Sequence, residues 1–194
     1  MARRSLPVDT VDLARALIGH VLVRDSSRGR TAGRIVEVEA YVLDDPASHA
    51  FRGMTPRNAP MFLEPHRAYV YRIYGTSLCV NVTSEKGGSG AAVLIRALEP
   101  LEGLELMESR RGTARVRDLC RGPGRLCAAL DVGISLNGHD LVRGSELWIG
   151  ASAGPPPAIG SSARIGITRA AERPLRFYEV GSPYLSGPKS LSPA

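Results

Sequence analysis

Two glutamates and a tyrosine alternate along the segment GRIVEVEAY, residues 33–41. Successive side chains of a β-strand point to opposite faces, so Glu37, Glu39 and Tyr41 would share one face, together with Ile35. The other face suits a hydrophobic core and would carry Val36, Val38 and Ala40. Carboxylates and a phenol in a row on one strand face are either exposed to solvent or part of a site. The segment alone leaves both interpretations open.

A long polar segment, DDPASHAFRGMTPRNAPMF at residues 44–62, follows this strand. Irregular segments of this length are usually functional or disordered, and the apolar PMF at its end argues against disorder. The segment carries His49 and Arg57. An isolated histidine is more often a surface residue, but in a loop that starts from Glu39 and Tyr41 a contact with a ligand becomes credible.

Three of the six tyrosines lie in AYVYRIYG, residues 68–75. The following Gly-Thr-Ser is typical of a hairpin turn, with LCVNV as the returning strand. Tyr74 at an exposed hairpin tip would bury nothing in its own fold, and it is a candidate wedge between stacked bases. Tyr71 and Tyr41 can offer flat faces to a planar ligand, whereas Tyr69 is expected to pack in the core.

The excess of positive charge also bears on which ligand the protein binds. The formal net charge is +6, and Lys86 and Lys189 are the only lysines. Arginine binds phosphates through two nitrogens and stacks on bases, which favours a nucleic acid partner, although GC-rich coding would give the same bias. The segment GPGRLCAAL starts a helix at Pro123 and places Arg125 in its first turn, where free N–H groups attract an anion.

Several classes of protein are disfavoured by the sequence. Three cysteines without a CxxC pair indicate a reducing compartment, and histidines without metal-ligand spacing argue against a metal. No apolar run approaches the ~20 residues that a membrane span needs, and no signal peptide is recognisable. We therefore expect a cytoplasmic protein with no membrane association and no metal or redox cofactor. The cysteines are Cys79, Cys120 and Cys127.

The elements that must position these residues indicate a single α+β domain over residues 1–194, with flexible ends at 1–8 and 186–194. It would have a mixed, largely antiparallel curved sheet surrounded by helices, and a protruding hairpin. Helices are predicted at 11–19, capped by Asp9 or Thr10, at 100–111 and from Pro123. Strands are predicted at 20–24, 33–41, 68–75, 77–83, 91–98, 145–150 and 163–170. Flexible loops are predicted at 83–90 and 151–162.

The chain resembles the alkyladenine (3-methyladenine) DNA glycosylase family from about Val36 through Pro183. The resemblance is carried by seven segments in the family's order: EVEAY, DPASHA, TPRNAPMF, YVYRIYGTSLCVNV, VLIRALEPLEG, GPGRLCAAL and RPLRFYEVGSP. It implies a monofunctional glycosylase that takes damaged purines from double-stranded DNA and works as a monomer without cofactors. The two lysines do not suit the amine nucleophile that a lyase needs.

The resemblance also implies roles for residues within these segments. Glu39 would be the catalytic base, with Glu37 outside the site, and Arg96 would help hold the catalytic water. The flipped base would lie between Tyr41 and His49 on one side and Tyr71 on the other. Asn81 would lie at the pocket floor, and Tyr74 would be the intercalating wedge. Apart from the resemblance, Arg57 and Arg125 are weaker candidates for contacts with the DNA backbone. From the residues alone, Asn81 could equally satisfy a backbone group.

Three positions depart from the family pattern. His66 stands where many members have glycine, which predicts a different turn there. Thr76 and Ser77 replace bulky apolar residues of some relatives and would give a slimmer wedge. Two rival functions remain open on the sequence: a non-enzymatic module that binds damaged or single-stranded nucleic acid, and an RNA-modifying enzyme on the same platform. A carboxylate in the pocket argues against simple binding, because it repels phosphate.

Overall fold

In the computed structural model, which describes residues 6–151 and 154–191, the chain begins with a short helix, α1 (Thr10–Leu17). The carboxylate of Asp9 caps it, because Asp9 Oδ1 accepts the backbone N–H groups of Val11 and Asp12, both at 2.9 Å. Such a cap satisfies donors that the helix itself cannot. The predicted helix is confirmed, with Asp9 rather than Thr10 as its cap.

Eight strands of the described residues form one curled sheet in which every pairing is antiparallel. The order is β3-β4-β5-β2-β1-β6, while β8 pairs with β2 and with β7. The strands are β1 (Val21–Ser26), β2 (Gly29–Tyr41), β3 (Ala68–Ile73), β4 (Ser77–Thr83), β5 (Ala92–Glu102), β6 (Leu147–Gly150), β7 (Ile159–Ser162) and β8 (Arg176–Glu179). The molecule is a single small α+β domain, as predicted.

Helices pack on this sheet around the core. They are α2 (Leu104–Arg111), α3 (Val116–Leu119) and α4 (Pro123–Leu130), with 3₁₀ turns at Ala59–Phe62, Ile134–Leu136 and Lys189–Leu191. The start of α4 at Pro123 is as predicted. The start of α2 is not, because β5 continues through Glu102 and the helix begins only at Leu104. No helix among the described residues is long and apolar enough to cross a membrane.

The prediction of a strand at 163–170 is wrong, and neither β7 nor β8 is predicted from the sequence. Residues 163–170 form a bent segment, because the Ile165 N–H donates to the Glu39 carboxylate instead of joining a strand ladder. The strand β7 lies in the predicted loop 151–162, of which residues 152 and 153 are outside the described part. Both β7 and its partner β8 are only four residues long.

An irregularity in the pairing of β2 with β5 sets the two faces of β2. The register runs from the pair Ile35–Leu98 to Glu37–Ala97 and then to Val38–Ile95, so Val36 and Arg96 are both extra residues. An extra residue shifts the alternation of side chains in a strand. Ile35 therefore packs in the main core with Val38 and Ala40, and its predicted place on the glutamate face is wrong.

The hairpin of β3 and β4 ends in a tight turn after Ile73, as predicted. Tyr74 and Gly75 both adopt left-handed backbone conformations, with φ of 50° and 74°. This conformation costs a residue with a side chain roughly 1–3 kcal/mol, and the Tyr74 side chain gains no burial in return, since Tyr74 is 88% exposed. The turn thus holds a large aromatic ring out in solvent.

Parts of the predicted flexible ends and loops are packed. Leu6 joins the main core, and Ser186 is buried. In the loop after β4, Glu85 accepts the N–H of Thr10 at 2.8 Å. Residues 1–5 and 192–194 lie outside the described part of the chain.

His66 stands where many family members have glycine. It adopts the left-handed conformation that glycine favours (φ 67°), and its Nε2 donates to the Pro7 carbonyl at 2.8 Å.

The carboxylate of Glu37 joins three parts of the fold. It is fully buried, and its Oε1 accepts from Arg96 of β5 at 3.1 Å, from Arg176 of β8 at 2.7 Å and from the Ser186 hydroxyl at 2.9 Å. Its Oε2 accepts the Ser186 N–H at 2.5 Å. Glu37 therefore fixes β5, β8 and the C-terminal segment to the middle of β2.

We expect Glu37→Gln to lower the free energy of unfolding by about 3–5 kcal/mol, since it removes a buried negative charge that two buried guanidinium groups, those of Arg96 and Arg176, both contact. Urea unfolding measures the loss. A matched control is Glu99→Gln, which breaks the partly exposed contact of Glu99 with Arg34 at 2.6 Å and should cost at most about 1 kcal/mol. Equal losses in the two variants would contradict the role given to Glu37.

Candidate active site

A cavity of about 410 Å³ opens beside the glutamate face of β2. Its walls come from the β2 end, from β3, β4 and β5, from residues 47–49 and from residues 165–167. The cavity is the size of a single ligand of a few rings, and it is lined mainly by apolar and aromatic side chains. The sequence-predicted residues that line it are Tyr41, His49, Tyr71, Tyr74, Asn81 and Arg96.

Glu39 lies directly behind this wall. The side chain is fully buried, and its Oε1 accepts the Ile165 N–H at 2.7 Å and lies 3.2 Å from Arg96 Nη1. Its Oε2 accepts the Tyr41 hydroxyl at 3.0 Å. All three of these partners line the cavity, so a single layer of residues separates the carboxylate from the cavity.

Burial raises the pKa of Glu39, against the opposing effects of Arg96, the Ile165 N–H and the Tyr41 hydroxyl. A carboxylate with a raised pKa is a stronger base than one in water. Burial also disfavours the charged form of Arg96, but the carboxylates of Glu39 and Glu37 outweigh it and raise its pKa. Arg96 therefore stays a cation between two buried carboxylates, which it contacts from a single bulge of β5.

Aromatic rings form much of the remaining wall. Tyr69 and Tyr71 of β3 are stacked with their ring centroids 5.2 Å apart, and burial raises the pKa of Tyr69 to about 12. Tyr69 is buried, as predicted, but it also lines the cavity. Cations lie over two rings: Arg164 is 4.7 Å from the Tyr41 centroid, and Arg57 is 5.6 Å from that of Tyr71.

His49 contacts Tyr71 directly. The two ring centroids are 4.6 Å apart at an interplanar angle of 71°, and His49 Nδ1 hydrogen-bonds the Tyr69 hydroxyl at 2.9 Å. Burial, with Arg57 nearby, lowers the pKa of His49, so the ring is neutral at pH 7. A base between His49 and Tyr71, as the family resemblance implies, requires these two rings to separate.

Asn81 both borders the cavity and satisfies a backbone group. It lines the cavity, and its Nδ2 donates to the Tyr69 carbonyl at 2.9 Å on the paired strand. This hydrogen bond fixes the plane of the amide. The orientation of Asn81 toward the cavity is therefore set by the β3–β4 ladder.

Tyr74 stands at the rim between this cavity and a second, more open one. The second cavity, of about 610 Å³, lies between the hairpin tip and the start of α4 and includes Thr76, Arg111 and Arg125. Two arginines thus line the same cavity as the exposed Tyr74. Arg57 is placed differently: its Nη2 donates to the Arg72 carbonyl at 3.1 Å, which ties the 44–62 segment to β3.

The segment at residues 165–167 was not predicted as part of the site. It supplies the Ile165 N–H to Glu39, and the preceding Arg164 forms a buried ion pair with Asp45. The two members of this pair are 119 residues apart in sequence, so no local pattern could have indicated it. Within the described residues, no three His, Cys, Asp or Glu side chains are grouped so that they could hold a metal ion.

Comparisons with known proteins confirm the resemblance found in the sequence. The family described as Methylpurine-DNA glycosylase (MPG) matches residues 4–183. A relative from Mesorhizobium japonicum is 57% identical over 98% of this chain and 92% of its own length. Relatives from Paraburkholderia phytofirmans and Methanoculleus marisnigri are 51% and 50% identical, over 98% and 92% of this chain and 90% and 94% of their own lengths.

All three relatives carry the name "Putative 3-methyladenine DNA glycosylase". The family match includes every strand and every α-helix that the structure describes, from α1 to β8, and so all of the residues that line the cavity. With this coverage and identity, the chain belongs to the methylpurine-DNA glycosylase family.

Proposed function

We propose that this protein is a monofunctional DNA glycosylase that takes alkylated or deaminated purines out of duplex DNA and hydrolyses their N-glycosidic bond with water activated by Glu39. Membership of the family already makes it a glycosylase of DNA repair. The observation that carries the finer proposal is the buried Glu39 carboxylate, held by three cavity-lining residues behind a wall of tyrosines.

The first step is the extrusion of the damaged nucleotide. A base within a duplex is out of reach, and extruding it costs a few kcal/mol, less when damage has weakened its pairing. Tyr74 is 88% exposed at the rim of the cavity, where its ring can fill the space that the base leaves. The arginines of the second cavity, Arg111 and Arg125, can hold phosphates of the bent strand.

The second step is hydrolysis. Glu39 accepts a proton from a water molecule, the water oxygen bonds to C1′ of the deoxyribose, and the C1′–N bond breaks so that its electrons leave with the base. An alkylated purine carries a positive charge and leaves as a neutral base. Tyrosine faces favour that cation before it leaves, and general-base catalysis contributes roughly 10²–10⁴-fold.

Arg96 and Asn81 have supporting roles in this proposal. Arg96 contacts Glu39 at 3.2 Å and lines the cavity, so it can hold the water and keep the carboxylate ionised. Asn81 has its amide fixed by the Tyr69 carbonyl, and at the cavity floor this amide would collide with the 2-amino group of guanine. Hypoxanthine lacks that group, so the collision would exclude an abundant normal base.

A lyase step is not part of the proposal. It would require an amine nucleophile with a lowered pKa, and the described residues that line the cavity include no lysine. Lys86 is exposed in the loop after β4. The proposal has the protein act as a monomer.

We expect Glu39→Gln to abolish base release while lesion-duplex binding stays within about tenfold, because the amide keeps the shape but accepts no proton. The measurement uses duplexes that each carry one lesion, with alkali to reveal abasic sites and near-ultraviolet circular dichroism to confirm folding. Glu102→Gln, at an exposed position of β5, is the control and should be fully active. A wild type that binds every lesion duplex but releases no base would favour the non-enzymatic alternative.

The pH dependence of base release tests the ionisation of Glu39. Because burial raises its pKa, activity should fall on the acid side at a pH above the ordinary carboxyl value of about 4.3. Tyr41→Phe removes a donor that lowers this pKa, so the acid limb should move to still higher pH. Single-turnover rates across the pH range measure this. A limb that stays in place or moves down would mean that Tyr41 does not stabilise the carboxylate.

Tyr74→Ala should weaken duplex binding and base release by about the energy of one stacked base, on the order of 1–3 kcal/mol. Release from a single strand should suffer less, because no gap in a duplex needs filling there. Tyr74→Phe keeps the ring and serves as the matched control. Equal losses on duplex and single strand would indicate that Tyr74 acts in the cavity or in folding rather than as a wedge.

A further inference from the structure

Two loop segments complete the cavity wall, and both adjoin one buried ion pair. The first segment is residues 47–49 and the second is residues 165–167. Asp45 precedes the first segment and Arg164 precedes the second. Both side chains of the pair are completely buried.

The pair makes contacts in two directions across the fold. Arg164 binds Asp45 through both terminal nitrogens, Nη1 to Oδ2 and Nη2 to Oδ1, the latter at 3.1 Å. The same two nitrogens also donate to the Ala40 carbonyl at 3.0 Å and to the Ala170 carbonyl at 3.3 Å. One guanidinium therefore links β2, the segment after it and both ends of the 164–170 segment.

Asp45 orients the first loop segment. Its Oδ1 accepts the Ala47 N–H at 3.0 Å, and its carbonyl accepts the Ser48 N–H at 2.9 Å. These bonds set the direction of the chain through Ala47, Ser48 and His49, all of which line the cavity. A displacement of the Asp45 carboxylate would thus move His49.

Arg164 orients the second loop segment and the end of β2. The residue after it, Ile165, donates its N–H to Glu39 Oε1 at 2.7 Å. Arg164 also donates to the carbonyl of Ala40, the residue between Glu39 and Tyr41 in the chain, and its guanidinium lies 4.7 Å from the Tyr41 ring centroid. The Glu39 segment, its amide donor and the Tyr41 ring are thus all held by Arg164 or by the residue next to it, and Arg164 itself does not line the cavity.

We propose that Arg164 and Asp45 are positioning residues of the active site, whose ion pair joins the two cavity-lining loops and holds the Ile165 amide against Glu39. Neither side chain lines the cavity, so the pair acts through the groups that it holds. The proposal rests on the glycosylase function above for its effect on rate. Its geometric part, the protection of the Ile165 amide, does not depend on that function.

Loss of the pair should change the chemistry of Glu39 as well as the shape of the cavity. The groups that face Glu39 are Tyr41 and Glu37 of β2, Cys79 of β4, Arg96 of β5 and the Ile165 N–H. The N–H is one of the groups that lower the Glu39 pKa, against the dominant effect of burial. Without it, the carboxylate is protonated at higher pH.

The experiment compares Arg164→Lys and Arg164→Met with the control Arg34→Met. Arg34 also bridges two carboxylates, Glu99 and Glu179, each at 2.6 Å, but it has no contact with the cavity lining. Lysine keeps the charge beside Asp45 but cannot reproduce the planar fork that binds both carboxylate oxygens and two carbonyls. It therefore keeps the test decisive if the methionine variant fails to fold.

Two readouts are taken on each folded variant. Hydrogen exchange at the Ile165 amide, followed by NMR, reports the positioning without any activity. Single-turnover release of hypoxanthine from a duplex across the pH range reports its consequence. We expect both Arg164 variants to exchange the Ile165 amide faster, to lose rate by about 10²-fold, the cost of a misplacement near 1 Å, and to move the acid limb to higher pH. Arg34→Met should match the wild type in all three.

Arg164 variants that match Arg34→Met in amide exchange, rate and acid limb would overturn the proposal and leave the pair as an ordinary element of stability. A second outcome separates the two proposals. If the Arg164 variants exchange the Ile165 amide faster, but even the wild type releases no base from any lesion duplex, the positioning role is supported and the proposed glycosylase function is overturned.

Discussion

Two carboxylates on one strand, both shielded from water, impose the main constraint on this structure. Glu37 and Glu39 are each fully buried on β2, and removing an ion from water costs several kcal/mol even after relaxation. The fold offsets that cost only by bringing cations and N–H donors from distant segments to the same place. Arg96 comes from a bulge of β5 between the two carboxylates, Arg176 from β8, and backbone donors from Ile165 and Ser186.

The two carboxylates are not equivalent, and hydrogen-bond capacity shows why. Glu37 accepts four hydrogen bonds from protein donors, about as many as a carboxylate can take. Glu39 accepts fewer from the residues that the structure describes, among which the Tyr41 hydroxyl is the one donor to its Oε2. A further acceptor position therefore remains on Glu39, on the side of residues that line the cavity. The bonds of Glu37 are thus all used within the fold, whereas Glu39 is the carboxylate that, in the proposed function, accepts a proton from water.

Features carried by local patterns could be predicted from the sequence. The alternation in GRIVEVEAY placed Glu37, Glu39 and Tyr41 on one face, and the Tyr74–Gly75 turn followed from residue types alone. Features set by long-range contacts could not. The bulges at Val36 and Arg96 leave no local signature, so Ile35 was assigned to the wrong face. The alternation in residues 163–170 resembles that of a strand. The Ile165 N–H there donates to Glu39, and the Arg164 side chain forms a buried ion pair, so the segment does not join a strand ladder.

In the proposed function, a base that lies between His49 and Tyr71 must first separate these two rings, which contact each other in this structure. Separating the rings loses an aromatic pair, worth about 0.5–1.5 kcal/mol. Turning His49 away from the Tyr69 hydroxyl loses a hydrogen bond of net value about 1 kcal/mol. A purine stacked on the freed rings returns on the order of 1–3 kcal/mol, so the exchange is close to balanced. Because the pKa of His49 is lowered by burial, the ring that moves is neutral and adds no charge repulsion against a cationic alkylated base. On the proposed function, the aromatic wall would therefore exchange its own ring contact for a flipped purine at little net cost, and Glu39 would keep the donors that Tyr41, Arg96 and Ile165 supply.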